Sequence, residues 1–337
     1  MKAFFIGLGS IGQRHLSNFK EITDSKSEVL VYRTTNHNLI IKDGIAKACD
    51  SLQRYYDFKQ VDSIEEGLKE SPEVAFITNP SAKHMDVAIE LAKGGCNLFI
   101  EKPLSNSLDR LDLLQQVVIS NQLIATVGYQ TRFHPIHKFA QQLLSEKNYG
   151  KAVSASFEWG TYLPSHHPYE DYSLGYAARK DLGGGVVLGL SHEIDLITRF
   201  WGQPQTVYAI GGKFSSLDMN AEDTVSVLMG FKQRKNIFPV TLFLSYAQRR
   251  ETRNFKIQFE DALLKCDLLA QTAKLFGNNS ELIEDRNFSD LKRNDLFIEE
   301  IKSFLAEVEN KKGANGSLQK DIETLQLALR IKDQIDV

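Results

Sequence analysis

The chain opens on "KAFFIGLGSIGQRHLSNF", and no other stretch restricts its fold as strongly. Residues 2–6 are apolar and stop at Gly7, which reads as a short buried strand. "SIGQRHLSNF" then carries helical spacing, with Ile11, Leu16 and Phe19 inward, and the apolar run from Glu28 to Arg33 completes strand–helix–strand. A G-x-G-x-x-G pattern is weak alone and much stronger between a strand and a helix. There Gly7 permits a tight turn, Gly9 lets the backbone approach a pyrophosphate, and Gly12 lets helix and strand pack closely. Ser10 and Ile11 share that loop at the helix start, where free N–H groups and the dipole favour an anion. A dinucleotide is the expected ligand. A glycine-rich turn without one is the plain alternative.

The end of the second strand bears on which dinucleotide. An acidic residue there would accept hydrogen bonds from the ribose hydroxyls and favour NAD. The chain instead has Arg33 followed by Thr34 and Thr35, a guanidinium and two hydroxyls that suit a 2′-phosphate. NADP is therefore preferred over NAD, unless Arg33 is only a solvated strand-end residue.

Further strand–helix units follow. "EVAFIT" is a buried strand closed by Asn79 and Pro80, and a helix with Met85, Ala88, Ile89 and Ala92 inward runs to Gly94 and Gly95. "NLFIE" delivers Lys102; the next helix is expected to bury Leu108, Leu111, Leu114 and Val118, before the strand "LIATVGY". Such alternation means a parallel sheet wound on both faces, with ligands beyond the carboxyl ends of its strands. Thr78, Asn79, Pro80 and Lys102 all fall at such ends.

From about residue 124 the rhythm changes, which places a dinucleotide-binding domain at 1–123 and a second α/β domain at 124–337. "AVSASFEWGTY" alternates, with Val153, Ala155, Phe157 and Trp159 on one face, and short strands follow without intervening helices. An open, mostly antiparallel sheet is expected. Two helices close the chain, the second with Ser317 as its N-cap. Between the first strands of this domain lies a long polar stretch from Leu163 to Gly185, and polar loops of that length inside a compact domain are usually functional or disordered. His192 stands at the start of the helix after it: either a capping or core histidine, or a side chain aimed into a cleft.

Composition narrows the partners. A net charge of −3 without a long basic run argues against nucleic-acid or anionic membrane surfaces. No run approaches the roughly 20 apolar residues of a membrane span. The start lacks the long apolar core of a signal peptide. Cys49, Cys96 and Cys266 have neither metal-type spacing nor an even count, so no metal site is expected and a reduced, cytoplasmic setting is the simplest reading.

"GLGSIGQRHL", "TNPSAKH", "EKP", "YQTRFHP" and "GGGVVLGLSHEIDLITRFWG", in that order and spacing, resemble the Gfo/Idh/MocA oxidoreductases over almost the whole chain. The resemblance implies a nicotinamide-binding Rossmann domain followed by a domain whose open sheet commonly forms a homodimer or homotetramer interface. It implies sugar, cyclitol or nucleotide-sugar substrates, and "EDY…YAARKDLGGG…LSHEID" is most like members of surface-sugar pathways. By position, Lys102 and His192 match the family's catalytic lysine and histidine. Gly7, Gly9 and Gly12 match its phosphate-binding glycines, and Thr78, Asn79, Pro80 and His84 its loop at the diphosphate and nicotinamide ribose. Glu101 matches a cofactor-side acid, and Gln130 and Arg132 the segment between cofactor and substrate. The aspartate that many relatives carry three or four residues before the histidine is absent: Leu188 and Gly189 stand there. Glu170, Asp171 and Glu193 are the candidate replacements.

Hydride transfer from a sugar carbon needs a hydroxyl held at the nicotinamide and a group that takes its proton. His192 is expected to exchange that proton and Lys102 to orient and polarise the oxygen, or the reverse. His166, Tyr169, Tyr172, Tyr176 and Arg179 suit contacts to a polyhydroxylated or anionic substrate, or else order the loop. Two other readings stay open: a non-catalytic sensor that binds the cofactor, and a glycosidase that oxidises transiently and retains NAD tightly.

Overall fold

The computed structural model describes the chain except residues 25–26, 36–37, 43, 234, 311–316 and 336–337. The side chain of Ser317, expected as an N-cap, also lies outside what is described.

The first half alternates as the sequence dictates. Strand β1 (Lys2–Ile6), helix α1 (Ser10–Ile22) and strand β2 (Glu28–Tyr32) are followed by a hairpin of β3 (Leu39–Lys42) and β4 (Ile45–Ala48). Then come α2 (Leu52–Tyr56), β5 (Lys59–Val61), α3 (Ile64–Lys69), β6 (Val74–Ile77) and α4 (His84–Lys93). Strand β7 (Asn97–Glu101), α5 (Leu111–Ser120) and β8 (Ala125–Gly128) complete this layer. The strands form one parallel sheet in the order β5-β2-β1-β6-β7-β8, so the order reverses between β1 and β6. A ligand cleft at the carboxyl ends of β1 and β6 follows from that reversal. Strand β8 carries the sheet past residue 123, where the change of rhythm had placed the domain division. Leu108 lies ahead of α5 and is 48% exposed, because the helix starts only at Leu111.

Helix α6 (Pro135–Glu146) leads into the second sheet through β9 (Ala152–Tyr162). Short helices α7 (Val186–Gly189) and α8 (His192–Trp201) precede the strands β10 (Thr206–Gly212), β11 (Thr224–Gln233), β12 (Asn236–Ser245) and β13 (Ala247–Phe259). Strands β14 (Ala262–Asp267), β15 (Thr272–Gly277) and β16 (Leu282–Asn287) extend it. The eight-stranded order is β10-β11-β12-β9-β13-β14-β15-β16. All pairs are antiparallel except β9 with β12. Val153 was expected on the buried face with Ala155 and Phe157, but a register shift between Gln258 and Phe259 opposite it turns it outward, 46% exposed. On the outer face, Tyr208, Ile210, Leu228 and Ile237 stand exposed.

The closing helices tie the halves together. Helix α9 (Arg293–Asn310) lies on α1 and inserts Phe304 among Phe76 and Phe99 of the parallel sheet, while Phe5 stacks on Phe76 at 4.5 Å. Each such fully buried ring contributes about 2–3 kcal/mol. Helix α10 (Ser317–Lys332) packs on α8 and β8.

Candidate active site

At the end of β1, Gly7 takes φ +92°, and a Cβ there would press on the backbone of Thr78 and Asn79. A Cβ on Gly12 would lie 2.7 Å from Thr78 Oγ1 and 2.8 Å from the Gly7 carbonyl oxygen. Gly9 differs, since no protein atom lies within 4 Å of where its Cβ would be. Gly7 and Gly12 are therefore required by the protein itself, whereas Gly9 keeps space open for something else. Gly9 is also the N-cap of α1, and no side chain caps the helix or places an acid in its first turn. The amides of the first turn, with those of Ser10 and Ile11 among them, are available to an anion.

Across this turn stands the loop after β6. Thr78 Oγ1 donates to the carbonyls of Ile6 (3.1 Å) and Gly7 (3.0 Å), which fixes the loop to the glycine turn. Asn79 Oδ1 is buried without a partner among the described residues. The ring of His84 lies between the carbonyl oxygens of Asn79 (Nε2, 2.7 Å) and Pro103 (Nδ1, 2.9 Å), donating to one of them when neutral and to both when protonated; burial lowers its pKa and the two carbonyls oppose that shift. An open glycine turn, an uncapped helix and an orphaned amide oxygen fit a dinucleotide, with Gly7, Gly9, Ser10, Ile11, Gly12, Thr78, Asn79 and Pro80 as its cradle. At the edge of β2, Arg33 donates from Nε to Gln60 Oε1 at 3.0 Å, and Thr34 is exposed beside it.

Lys102 follows β7 directly. Its amide donates to Glu101 Oε2 at 3.1 Å, and Glu101 Oε1 meets His15 Nε2 at 2.6 Å, so both oxygens of this buried acid are engaged. Lys102 Nζ donates to the carbonyl oxygen of Gly189 at 2.7 Å. This is the position where the family's aspartate was missed, and a backbone oxygen there takes the ammonium. Of the three carboxylates considered as replacements, Glu193 accepts from Arg253 Nε at 2.7 Å, feels the charge of Lys102, and leaves Oε2 buried without a partner among the described residues. Asp171 accepts from the Ser173 amide, and Glu170 lies beside His167. The reason for a glycine is steric: a Cβ on residue 189 would lie 1.8 Å from the hydroxyl oxygen of Tyr246, which is 1% exposed.

His192, 4% exposed, opens α8, and its Nδ1 meets Thr131 Oγ1 at 3.2 Å. Burial depresses its pKa well below the usual value, and the cations Lys102, Arg253 and Arg132 depress it further, so its ring is neutral near pH 7. Tyr129 and Trp159 wall it, with ring centroids at 5.5 and 6.0 Å. Gln130 opens the turn after β8. Arg132, expected between cofactor and substrate, uses its guanidinium in a buried network: Nε and Nη2 donate to Asp195 at 2.9 and 2.7 Å, and Nη2 to Asp321 at 2.5 Å.

The residues from the polar stretch divide. His166 (Nε2 to Thr161 Oγ1, 2.9 Å) and His167 lie near Lys102, and burial lowers both, His166 to about 4. Tyr169 donates to or accepts from His167 Nδ1 at 3.1 Å and lies beside the Ser10 side chain. Tyr176 lies close to Tyr246. Tyr172 accepts from the Asp218 amide at 2.9 Å, and Arg179 pairs at the surface with Asp181 at 2.6 Å, so these two order the segment. Sequence reasoning missed His15, Thr131, Tyr246 and Arg253. His15 sits inside the quoted "GLGSIGQRHL", which was its one signal.

A switch-point cleft with a phosphate cradle on one side and a lysine–histidine pair on the other defines a dinucleotide-dependent oxidoreductase scaffold. Comparison makes this specific. Residues 1–129 match the model described as the oxidoreductase family, NAD-binding Rossmann fold, and residues 137–264 match the GFO/IDH/MocA C-terminal domain. The chain belongs to the Gfo/Idh/MocA oxidoreductase family. UDP-N-acetylglucosamine 3-dehydrogenase of Acidithiobacillus ferrooxidans is 22% identical over 90% of this chain and 88% of its own. Its structure superposes with a TM-score of 0.76 at 19% identity, covering 99% and 97% of the two chains. Levoglucosan dehydrogenase with NADH gives 0.82 at 13% identity over 99% and 96%; biliverdin reductase of Synechocystis sp. PCC 6803 with biliverdin and NADP+ gives 0.77 at 14% over 99% and 98%. These likenesses show the fold. The matches to trans-1,2-dihydrobenzene-1,2-diol dehydrogenase of Xenopus laevis and scyllo-inositol 2-dehydrogenase of Bacillus subtilis span only 58% and 41% of those proteins. Among the described residues, no cluster of three or more His, Cys, Asp or Glu could hold a metal, and no helix is long and apolar enough to cross a membrane.

Proposed function

We propose that this chain is a dehydrogenase or reductase that moves a hydride between a nicotinamide cofactor and a CH–OH carbon of a sugar or nucleotide sugar, in surface-sugar biosynthesis. The observation that carries the reading is Lys102 Nζ, held 2.7 Å from the Gly189 carbonyl near a buried, neutral His192 and across from the open phosphate cradle. Residues 1–123 supply the cofactor side and residues 124–337 most of the substrate side. The relative from Acidithiobacillus, matched over 90% of this chain, supports a nucleotide sugar.

When bound, the nicotinamide accepts or donates the hydride. The chain handles the proton. His192 faces Thr131 through Nδ1, which leaves Nε2 to take the hydroxyl proton as the carbonyl forms. Lys102, fixed by one of its three N–H groups, has two left to hold the substrate oxygen. His166 and Tyr176 line the approach on the substrate side. Gln130 and Glu101 support the cofactor side, Glu101 by fixing the amide of Lys102. Arg33 and Thr34 receive a 2′-phosphate, so NADP is preferred over NAD. The exposed apolar row on β10–β12 pairs two or four copies of the chain.

NADPH and NADH are titrated by fluorescence into protein stripped of ligand, and turnover is then scored with UDP-N-acetylglucosamine and related sugars. NADPH should bind at least about ten-fold more tightly. Preference for NADH retires the Arg33 assignment alone, and failure to bind either retires the oxidoreductase. Lys102→Ala should abolish turnover while leaving cofactor affinity within a few-fold; unchanged turnover removes Lys102 from the chemistry.

A further inference from the structure

The segment from Leu163 to Gly185 belongs to the second domain, yet it touches both loops of the cofactor cradle. At one end, Tyr169 lies beside the Ser10 side chain at the uncapped start of α1. At the other, Ser81 Oγ donates to the carbonyl of Leu182 at 3.2 Å, with that of Gly183 at 3.4 Å, just beyond the Thr78-Asn79-Pro80 loop. Gly183 takes φ +86°, and a Cβ there would lie 2.2 Å from Ser81 Oγ and 3.0 Å from Asn106. The chain is thus pressed against the first domain where only glycine fits. Between these two attachments the segment is a succession of single turns at Tyr172–Leu174, Tyr176–Ala178 and Lys180–Leu182. It is fixed to its own domain by the Tyr172 hydroxyl on Asp218. The phenol of Tyr169 is aimed by His167 Nδ1 at 3.1 Å.

We propose that this segment is a strap over the diphosphate of the cofactor, with the Tyr169 hydroxyl as a hydrogen-bond donor to that diphosphate and Ser81–Gly183 as its second attachment. The inference rests on the nicotinamide-binding reading and reassigns Tyr169 from substrate to cofactor. Three points carry it. The helix start beside Tyr169 has no capping side chain of its own, so a donor from the other domain adds to a site already built for an anion. His167 is neutral near pH 7, since burial lowers its pKa, and with its proton on Nδ1 it donates to the phenol oxygen, which leaves the Tyr169 proton for the diphosphate. Finally, the two attachments lie on the two loops that flank the reversal in strand order, where the diphosphate is expected.

The test uses the full chain and two probes that share a diphosphate, NADPH and NADH. Their dissociation constants are measured by fluorescence and their release rates by displacement, for the native protein, Tyr169→Phe and Ser81→Ala, with thermal melting to confirm folding. Tyr169→Phe should weaken both probes by a similar factor, about ten-fold, the loss of one charge-assisted hydrogen bond. Ser81→Ala should speed release of both several-fold. Amide exchange across residues 163–185 should slow when NADPH is bound. If the native protein binds and Tyr169→Phe stays within two-fold for both probes, the strap is overturned while the cofactor reading stands. A loss for one probe only overturns the diphosphate contact. No binding to the native protein overturns both.

Discussion

The two sides of the cleft are built by opposite means. The cofactor side is backbone: a glycine turn, helix amides, and a threonine that fastens one loop to another. The proposed substrate side is side chains drawn from distant parts of the chain: Lys102 from the end of β7 and His192 from α8, with Tyr246 of the β12–β13 corner packed against Gly189. Backbone sites are recorded in sequence as short spaced glycines. Side-chain sites exist only after folding, and each member has its own local reason to be where it is.

The three glycines of the first turn sharpen that contrast, since the structure gives them different tasks. Gly12→Val should cost about 3 kcal/mol of stability in urea unfolding, because its side chain meets the Gly7 carbonyl and Thr78 at the packed helix–strand contact. Gly9→Ala should leave stability within about 0.5 kcal/mol, there being no protein atom in its way. It should still weaken NADPH by about ten-fold or more. A Gly9→Ala variant that binds normally would show that the open space does not hold a diphosphate.

That difference explains what could be read in advance. The parallel sheet was legible because each strand and helix repeats a pattern, whereas Lys102 and His192 were singled out only by their place at element ends and by the motifs around them. Arg132 was placed between cofactor and substrate by its motif, "YQTRFHP", but Asp195 and Asp321 lie far along the chain and draw its guanidinium into the buried network. Val153 fitted a strict alternation that the register shift on β13 breaks. The absent aspartate posed a question with no answer in local sequence. Its answer, Tyr246, enters through a strand corner more than fifty residues on.

Tyr246 and Gly189 can be tested as a pair. Gly189→Ala alone should destabilise by about 2 kcal/mol, because a rigid, fully buried phenol cannot move aside as a flexible chain end would. Adding Tyr246→Phe removes the 1.8 Å contact and leaves the ring carbon Cζ at 3.0 Å, so most of the loss should return. Equal penalties in both backgrounds would mean that something other than this hydroxyl keeps residue 189 bare. Unfolding in urea of the four proteins of the cycle decides it.

The smallest effect lies beneath the site. Glu300 on α9 is 2% exposed, and neither of its oxygens has a partner among the described residues. Burial raises its pKa well above the usual 4.5, and the nearby Glu101 adds to the rise while Arg132 opposes it. With the folded-state pKa above the unfolded one, the protonated carboxyl supports the fold fully below about pH 4.5. That support is lost as pH rises toward the folded value. Glu300→Gln keeps the shape without the titration, so it should match the native protein at pH 4.5 and exceed it in stability at pH 8. The ideal slope is about 1.4 kcal/mol per pH unit. Glu300 lines a polar cleft with Thr126, Arg132 and Arg199, and solvent entering there reduces the slope. About 1 kcal/mol at pH 8 is the expected gain. A variant less stable than the native protein at pH 8 would mean that the carboxylate is held charged, with the arginines outweighing its burial.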